Sequence, residues 1–339
     1  MSGSTRGGPP EPAPSSARPV SRRGIAALAF AVLCLGLVLG AGGTLLSSTW
    51  DGAGRQRPAG SAADDRTQRG PLERSGQTRY GASFQLRRGE SYAHGLARTD
   101  SSLGRLDLVR VFYPGEPAPW PGRAAGRDVV VSFKLDPRSV LAGDYDAQMR
   151  KWFASAPRNL DVFWVFWHEP EDDIEDGSFT AADFRAAFAR LDRLADQADN
   201  PRLVSTVVLM SWSTRQDSGR DWRDYVPPAD SVDVFAWDVY NRQGNLGVYS
   251  SPAELLDAPR KAAESVGKPF AVAELGSVLV DGDDGAERAE WLRAVGDYLG
   301  QHGAVFAAYF NFVWNGGEDD YRLRDAPSLE AWRELGAGS

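Results

Sequence analysis

Cysteine is all but absent. One residue, Cys34, stands among 339 positions, and it lies in an apolar stretch near the N-terminus. The rest of the chain therefore has no disulfide and no thiol chemistry. Histidine is nearly as scarce, at three. His302 falls at the end of a helical stretch before the last apolar run, on the face opposite the strand C-termini, so a three-histidine zinc site cannot be assembled. Basic residues are outnumbered, 38 against 46, for a net charge of −8, and no basic stripe with interleaved aromatics occurs. That balance argues against a nucleic-acid partner. There is no Gly-x-Ser-x-Gly elbow or Ser/His/Asp set, no Gly-rich phosphate turn after an early strand, and no repeat at fixed spacing.

The N-terminus divides into three parts. Residues 1–23 are rich in Ser, Pro, Gly and Arg and end in Arg22-Arg23, which reads as a basic cytoplasmic tail. Residues 24–46 are apolar and uncharged, long enough to cross a bilayer as one helix, with the basic flank keeping the N-terminus inside. A cleaved signal peptide is the other reading, although Gly40-Ala41-Gly42 makes a poor cleavage site. Both readings export the remainder of the chain, to the outer face of the membrane or beyond it. A lipoprotein at Cys34 fits badly, because Val32-Leu33 precede it where small residues are wanted. Residues 47–77 are polar and without periodicity, as expected of a flexible linker.

From Thr78 to about residue 336 short apolar runs alternate with amphipathic stretches. Eight runs read as strands: Tyr80–Phe84, Leu106–Tyr113, Asp128–Leu135, Val162–Trp167, Leu203–Trp212, Val232–Tyr240, Pro269–Leu275 and Val305–Val313. Helical patterns are clearest at Asp144–Phe153, Ala181–Ala198, Pro252–Val266 and Ala286–Gly300, with Ser328–Leu335 closing the chain; Thr180 is a natural N-cap. Arg87–Arg105 shows no strong helical period. Eight strands and intervening helices over this length predict an α/β fold, a (β/α)8 TIM barrel. A doubly wound open sheet is the alternative.

Two of these runs end in a carboxylate. Glu169 closes Val162-Phe163-Trp164-Val165-Phe166-Trp167-His168-Glu169-Pro170, and Glu274 closes Pro269-Phe270-Ala271-Val272-Ala273-Glu274. An acid is costly inside a fully apolar strand and is tolerated where the strand emerges, at the end where such barrels keep their active sites. In this layout the glutamates end strands four and seven, across the barrel mouth from each other. Two carboxyls so presented are the minimal equipment for glycosidic bond cleavage. Trp164, Phe166 and Trp167 would desolvate Glu169 and raise its pKa, as an acid needs. Trp212, Trp237 and Trp314, near strand ends, could stack on sugar faces. A strand-end glutamate can also cap a loop, and any one tryptophan can be packing.

The stretch His168-Glu169-Pro170, then Trp237-Asp238-Val239-Tyr240, Ala273-Glu274-Leu275-Gly276 and Trp314 resemble a retaining (β/α)8 glycoside hydrolase, most nearly glycoside hydrolase family 26, which includes β-mannanases. The resemblance implies that Glu169 is the acid/base and Glu274 the nucleophile. It further implies that His168 hydrogen-bonds substrate and that Tyr240 donates to Glu274, holding it ionised and oriented. Trp314 would form the floor under the reacting sugar, and Arg110 would orient the nucleophile. Asp238 is open between sugar contact and structural hydrogen bonding. The Pro170-Glu171-Asp172-Asp173 run departs from the mannanases, and no mannan-specific loops are evident.

The acidic run Glu171–Asp176 does not space its oxygens as a Ca²⁺ loop requires, since Ile174 falls on a ligand position, so a solvated loop is expected. Asp281-Gly282-Asp283-Asp284-Gly285 reads as a polar turn before a helix. The expectation is a membrane-tethered or secreted, monomeric retaining endo-glycosidase acting on a β-linked polysaccharide or oligosaccharide, without metal or organic cofactor. The alternative is a non-catalytic carbohydrate-binding or cell-envelope interaction protein on the same barrel.

Overall fold

Eight parallel strands close into a barrel, β1 pairing with both β2 and β8. They are β1 (Arg79–Phe84), β2 (Leu108–Tyr113), β3 (Asp128–Phe133), β4 (Val162–Phe166), β5 (Leu203–Met210), β6 (Val234–Asn241), β7 (Phe270–Ser277) and β8 (Phe306–Asn311). The computed structural model describes residues 77–241, 247–314 and 319–338. The tail 1–23, the apolar segment 24–46 and all of the linker but its last residue lie outside the described residues. Among the described residues no helix is long and apolar enough to cross a membrane. The barrel, expected from eight alternating runs, is what the chain forms.

The strands read as apolar on both faces because both faces are covered. One set of side chains, including Leu108, Val130, Phe163, Val204, Ala236 and Phe306, forms a closed cluster inside the barrel. The alternate set packs outward on the helices. On β1 the inner position is Gly81, where a Cβ would stand 2.3 Å from the Leu108 carbonyl oxygen, so no larger residue lets β1 and β2 approach.

The helices are α1 (Tyr92–Leu103), α2 (Pro137–Ala142), α3 (Asp146–Ala154), α4 (Pro170–Glu175), α5 (Ala181–Asp196), α6 (Pro252–Ser265), α7 (Ala286–Gln301) and α8 (Ala326–Ala337). Thr180 and Asp183 form a capping box that starts α5. Its Phe184 and Phe188 rings stack on Phe166 and Trp164, at centroid separations of 5.9 and 5.1 Å. That contact fixes the outer face of β4.

Two helices differ from expectation. The stretch Arg87–Arg105 contains α1, whose buried stripe is Gly95, Leu96, Thr99 and Leu103. Half of that stripe is small or polar, which mutes the apolar period. The expected solvated loop at 171–176 is instead mostly α4, with Pro170 in its first turn and Glu171, Asp172 and Asp173 beside it. Proline and acids both suit a helix N-terminus, and Glu171 is fully buried. The turn before α7 is polar as expected, with Asp283 accepting from the amides of Gly285, Glu287 and Arg288.

Candidate active site

The pairing of β6 with β7 contains one irregular step. Trp237 faces Val272 and Asp238 faces Glu274, so Ala273 is an extra residue in β7. A bulge of this kind re-aims the side chains after it. Here Ala271 and Ala273 belong to the inner cluster while Val272 and Leu275 face the helices. Glu274 lies inside as well, where it meets side chains from two other strands.

Those partners hold both of its oxygens. Arg110 on β2 brings Nη2 to 3.3 Å from Oε1, and the Tyr240 hydroxyl donates to Oε2. The Arg110 guanidinium is itself fixed by Nη1 donating to Ser132 Oγ at 2.6 Å and by lying 4.3 Å over the Phe112 ring. Glycine at 276 makes room for the phenol, since a Cβ there would come within 3.0 Å of the Tyr240 ring. Burial, and then the charges of Glu274, Asp238 and Glu169, push the Tyr240 hydroxyl well above its ordinary pKa, so it remains a donor.

Glu169 is in a different setting. It follows β4 in the left-handed region, with φ 49° and ψ 59°, and it is the N-cap of α4. Trp167 is also left-handed, at φ 51°. Such backbone is sparsely populated by residues other than glycine and is commonly retained at functional sites. The Glu169 amide donates to Val208 O on β5 at 3.1 Å. Its carboxyl is pushed up to about 8, first by burial and then by the charge of Glu274, with the nearby Lys134 opposing the rise. Glu169 thus senses the charge of Glu274, which is clamped by donors, and is itself an acid retaining its proton near neutral pH.

Two further groups face this rim. Asp238 is 2% exposed, and neither carboxyl oxygen has a hydrogen-bond partner among the described residues. Burial, with the charges of Glu274 and Glu169, raises its pKa well above the carboxylate range, so it is a neutral acid. His168 is buried, with its ring centroid 5.3 Å from that of Phe112. Burial, then Lys134 and Arg110, holds it well below the ordinary histidine pKa, so the imidazole is neutral.

The tryptophans separate into different classes. Trp314, just past β8, is 40% exposed and offers a ring to solvent. Trp212 is partly exposed in the turn after β5, with the Arg215 guanidinium 5.0 Å over its ring. Trp237 corrects the expectation of a sugar platform. It is fully buried on the outer face of β6, packed edge-on to Phe235 and Trp222, and presents no face to a ligand. Its neighbour Asp238 faces inward because alternate strand residues point to opposite sides.

Comparison of the sequence with protein-family models and with curated proteins finds no match. Solved structures do match. An endo-β-1,4-mannanase double mutant from Cellulomonas fimi is 15% identical, with TM-score 0.53, over 81% of this chain and 74% of that one. GH26C from a Muricauda species is 14% identical, with TM-score 0.53, over 80% and 88%. A hyperthermostable endo-1,4-β-D-mannanase from Thermotoga petrophila is 12% identical, with TM-score 0.50, over 77% and 100%. What they share with this chain is the fold. The chain has the (β/α)8 barrel found in these glycosidases, and at such identities the likeness extends no further.

Several residues of the rim escape a sequence reading. Ser132, which fixes Arg110, looks like any small residue in an apolar strand. Asn241, at the end of β6, donates to Val248 O at 3.0 Å and Ser277 Oγ at 2.9 Å, tying the loops after β6 and β7 together. Asp173 accepts from Trp167 Nε1 at 2.7 Å and Lys134 Nζ at 3.1 Å, and so braces the strained residue before His168. Among the described residues no group of three or more His, Cys, Asp or Glu side chains is arranged to hold a metal ion.

Proposed function

We propose that this protein is a retaining endo-glycosidase acting on a β-linked polysaccharide, a β-mannan or related β-glycan. The observation that supports this most is the unequal treatment of two carboxyls at one barrel rim. Glu274 is gripped by Arg110 and Tyr240, while the Glu169 carboxyl is raised to about 8, chiefly by burial. An acid and a nucleophile need that division.

In the first step Glu169 gives its proton to the glycosidic oxygen as a Glu274 oxygen attacks the anomeric carbon. The bond to the leaving sugar breaks and a glycosyl ester forms. In the second step Glu169, now a base, takes a proton from water; the water oxygen attacks the anomeric carbon and Glu274 leaves as carboxylate. Tyr240 and Arg110 hold the attacking oxygens in place. Asp238 and His168 offer polar atoms to sugar hydroxyls, and Trp314 and Trp212 offer apolar faces.

The experiment is to incubate the protein with activated 2-deoxy-2-fluoro β-mannosides and β-glucosides and sequence the labelled peptide. A covalent adduct on Glu274 is expected. Carbohydrate binding without adduct or turnover across a broad panel would instead favour a non-catalytic carbohydrate-binding protein of the envelope. Residues 24–46 would tether the barrel to the outer face of the membrane, with residues 1–23 inside. The full chain should then sediment with membranes, and recovery of the mature protein free in the medium would argue for cleavage.

A further inference from the structure

Glu171 is a fully buried glutamate that the two-carboxylate mechanism does not use. It is the second residue of α4, two positions after the acid. Its Oε1 accepts from the Met210 amide at 2.8 Å and from Ser213 Oγ at 2.9 Å, while Oε2 has no partner among the described residues. Met210 ends β5, and Ser213 lies in the turn Ser211–Thr214 that carries Trp212.

The location has a backbone logic. β4 and β5 pair through Trp164 opposite Ser205, and the Glu169 amide still bonds Val208 O. At Pro170 the chain leaves the sheet for α4, so β4 has no carbonyl left to meet Met210 N–H. A buried amide without an acceptor costs about 1–3 kcal/mol. The Glu171 carboxyl takes that donor, one step beyond the last backbone rung. On the outer side of the same junction Arg220, in the loop after β5, bonds Glu175 at 2.6 and 2.8 Å and also Asp172.

We propose that Glu171 is a positioning residue, a side-chain rung that continues the β4–β5 ladder and fixes Glu169 relative to the Trp212 turn. This rests on the hydrolase reading and deepens it. The titratable and charged groups around Glu171 are Glu169 after β4, Asp238 on β6, and Arg220 and Tyr225 beyond β5. Its own ionisation therefore lifts the pKa of Glu169. Burial pushes Glu171 up to about 7.

The test uses the full chain with Glu171→Gln and Glu171→Met, assayed on an aryl β-glycoside that the wild type hydrolyses, with Met210 amide exchange followed in parallel. Gln keeps an acceptor oxygen and removes the charge. Its kcat should stay within about threefold of wild type, while the basic limb of the pH profile moves down by roughly half a unit. Met removes the acceptor at similar volume. It should lose roughly 100-fold in kcat with little change in KM, and Met210 N–H should lose protection. A wild-type kcat in folded Glu171→Met overturns the proposal. If that variant does not fold, Glu171→Asp decides: it keeps the charge but draws the carboxyl back by one methylene from the Met210 amide, and a wild-type kcat there overturns the proposal. An inactive wild type whose Met210 protection still depends on Glu171 removes the hydrolase reading and leaves the rung standing; unchanged protection removes the rung.

Discussion

Asp238 on β6 stands opposite Glu274 on β7 at the rung where β7 carries its extra residue, Ala273. The two carboxyls are thereby brought side by side inside the barrel, one clamped by Arg110 and Tyr240 and the other without hydrogen-bond partners among the described residues. Burial beside a like charge keeps Asp238 protonated. A neutral acid next to Glu274 donates or accepts a hydrogen bond without adding charge.

Tyr240→Phe keeps the ring in the space beside Gly276 and removes only the donor to Glu274. A preorganised donor at the reacting oxygen is worth roughly 100-fold in kcat. Steady-state kinetics should show a loss of that order with KM nearly constant, and a melting temperature close to wild type. A rise in KM alone would assign the phenol to binding.

With Glu169 raised to about 8, activity that needs the protonated acid should be sustained through neutral pH and fall as pH rises through that value. The same shift predicts a stability trend. The folded chain holds this proton over a range where an unfolded glutamate, near 4.3, has lost it. It therefore binds more protons than the unfolded chain between those values, and its stability falls as pH rises across them. Glu169→Gln should flatten that decline in thermal unfolding followed from pH 5 to 9. An equal decline in wild type and variant would locate the titration elsewhere.

Trp237 and Trp314 should respond in opposite ways. Trp237→Ala opens a cavity between β6 and the surrounding shell and should cost about 3–5 kcal/mol of stability. Trp314→Ala removes a partly exposed ring and should cost less stability than Trp237→Ala, while raising KM for a polymeric substrate roughly three- to tenfold. Chemical denaturation and polysaccharide kinetics on the two variants separate packing from platform.

The strands were legible because a parallel barrel covered on both faces needs continuous apolar runs, and Val162–Phe166 or Val234–Trp237 admit little else. Glu169 was legible as an acid just past such a run, whereas Glu274, expected at a strand end, lies within β7, which continues to Ser277. Trp237 was misread because a tryptophan beside a strand terminus looks alike whether it faces the mouth or the helices, and only the register decides. Glu171 was misread because a run of acids reads as solvated, and nothing local reveals that one of them caps a neighbouring strand.

Local chemistry thus determined the kinds of element, their order and the two places where an acid interrupts or follows an apolar run, because propensity and periodicity act over a few residues. Which side chains meet was decided by barrel closure. Arg110 and Glu274 are 164 positions apart, and their contact goes with an irregular step in β7 at which Ala273 and Glu274 both face inward. Such a step leaves composition and hydrophobic pattern almost unchanged, so it is settled only when the neighbouring strands pair.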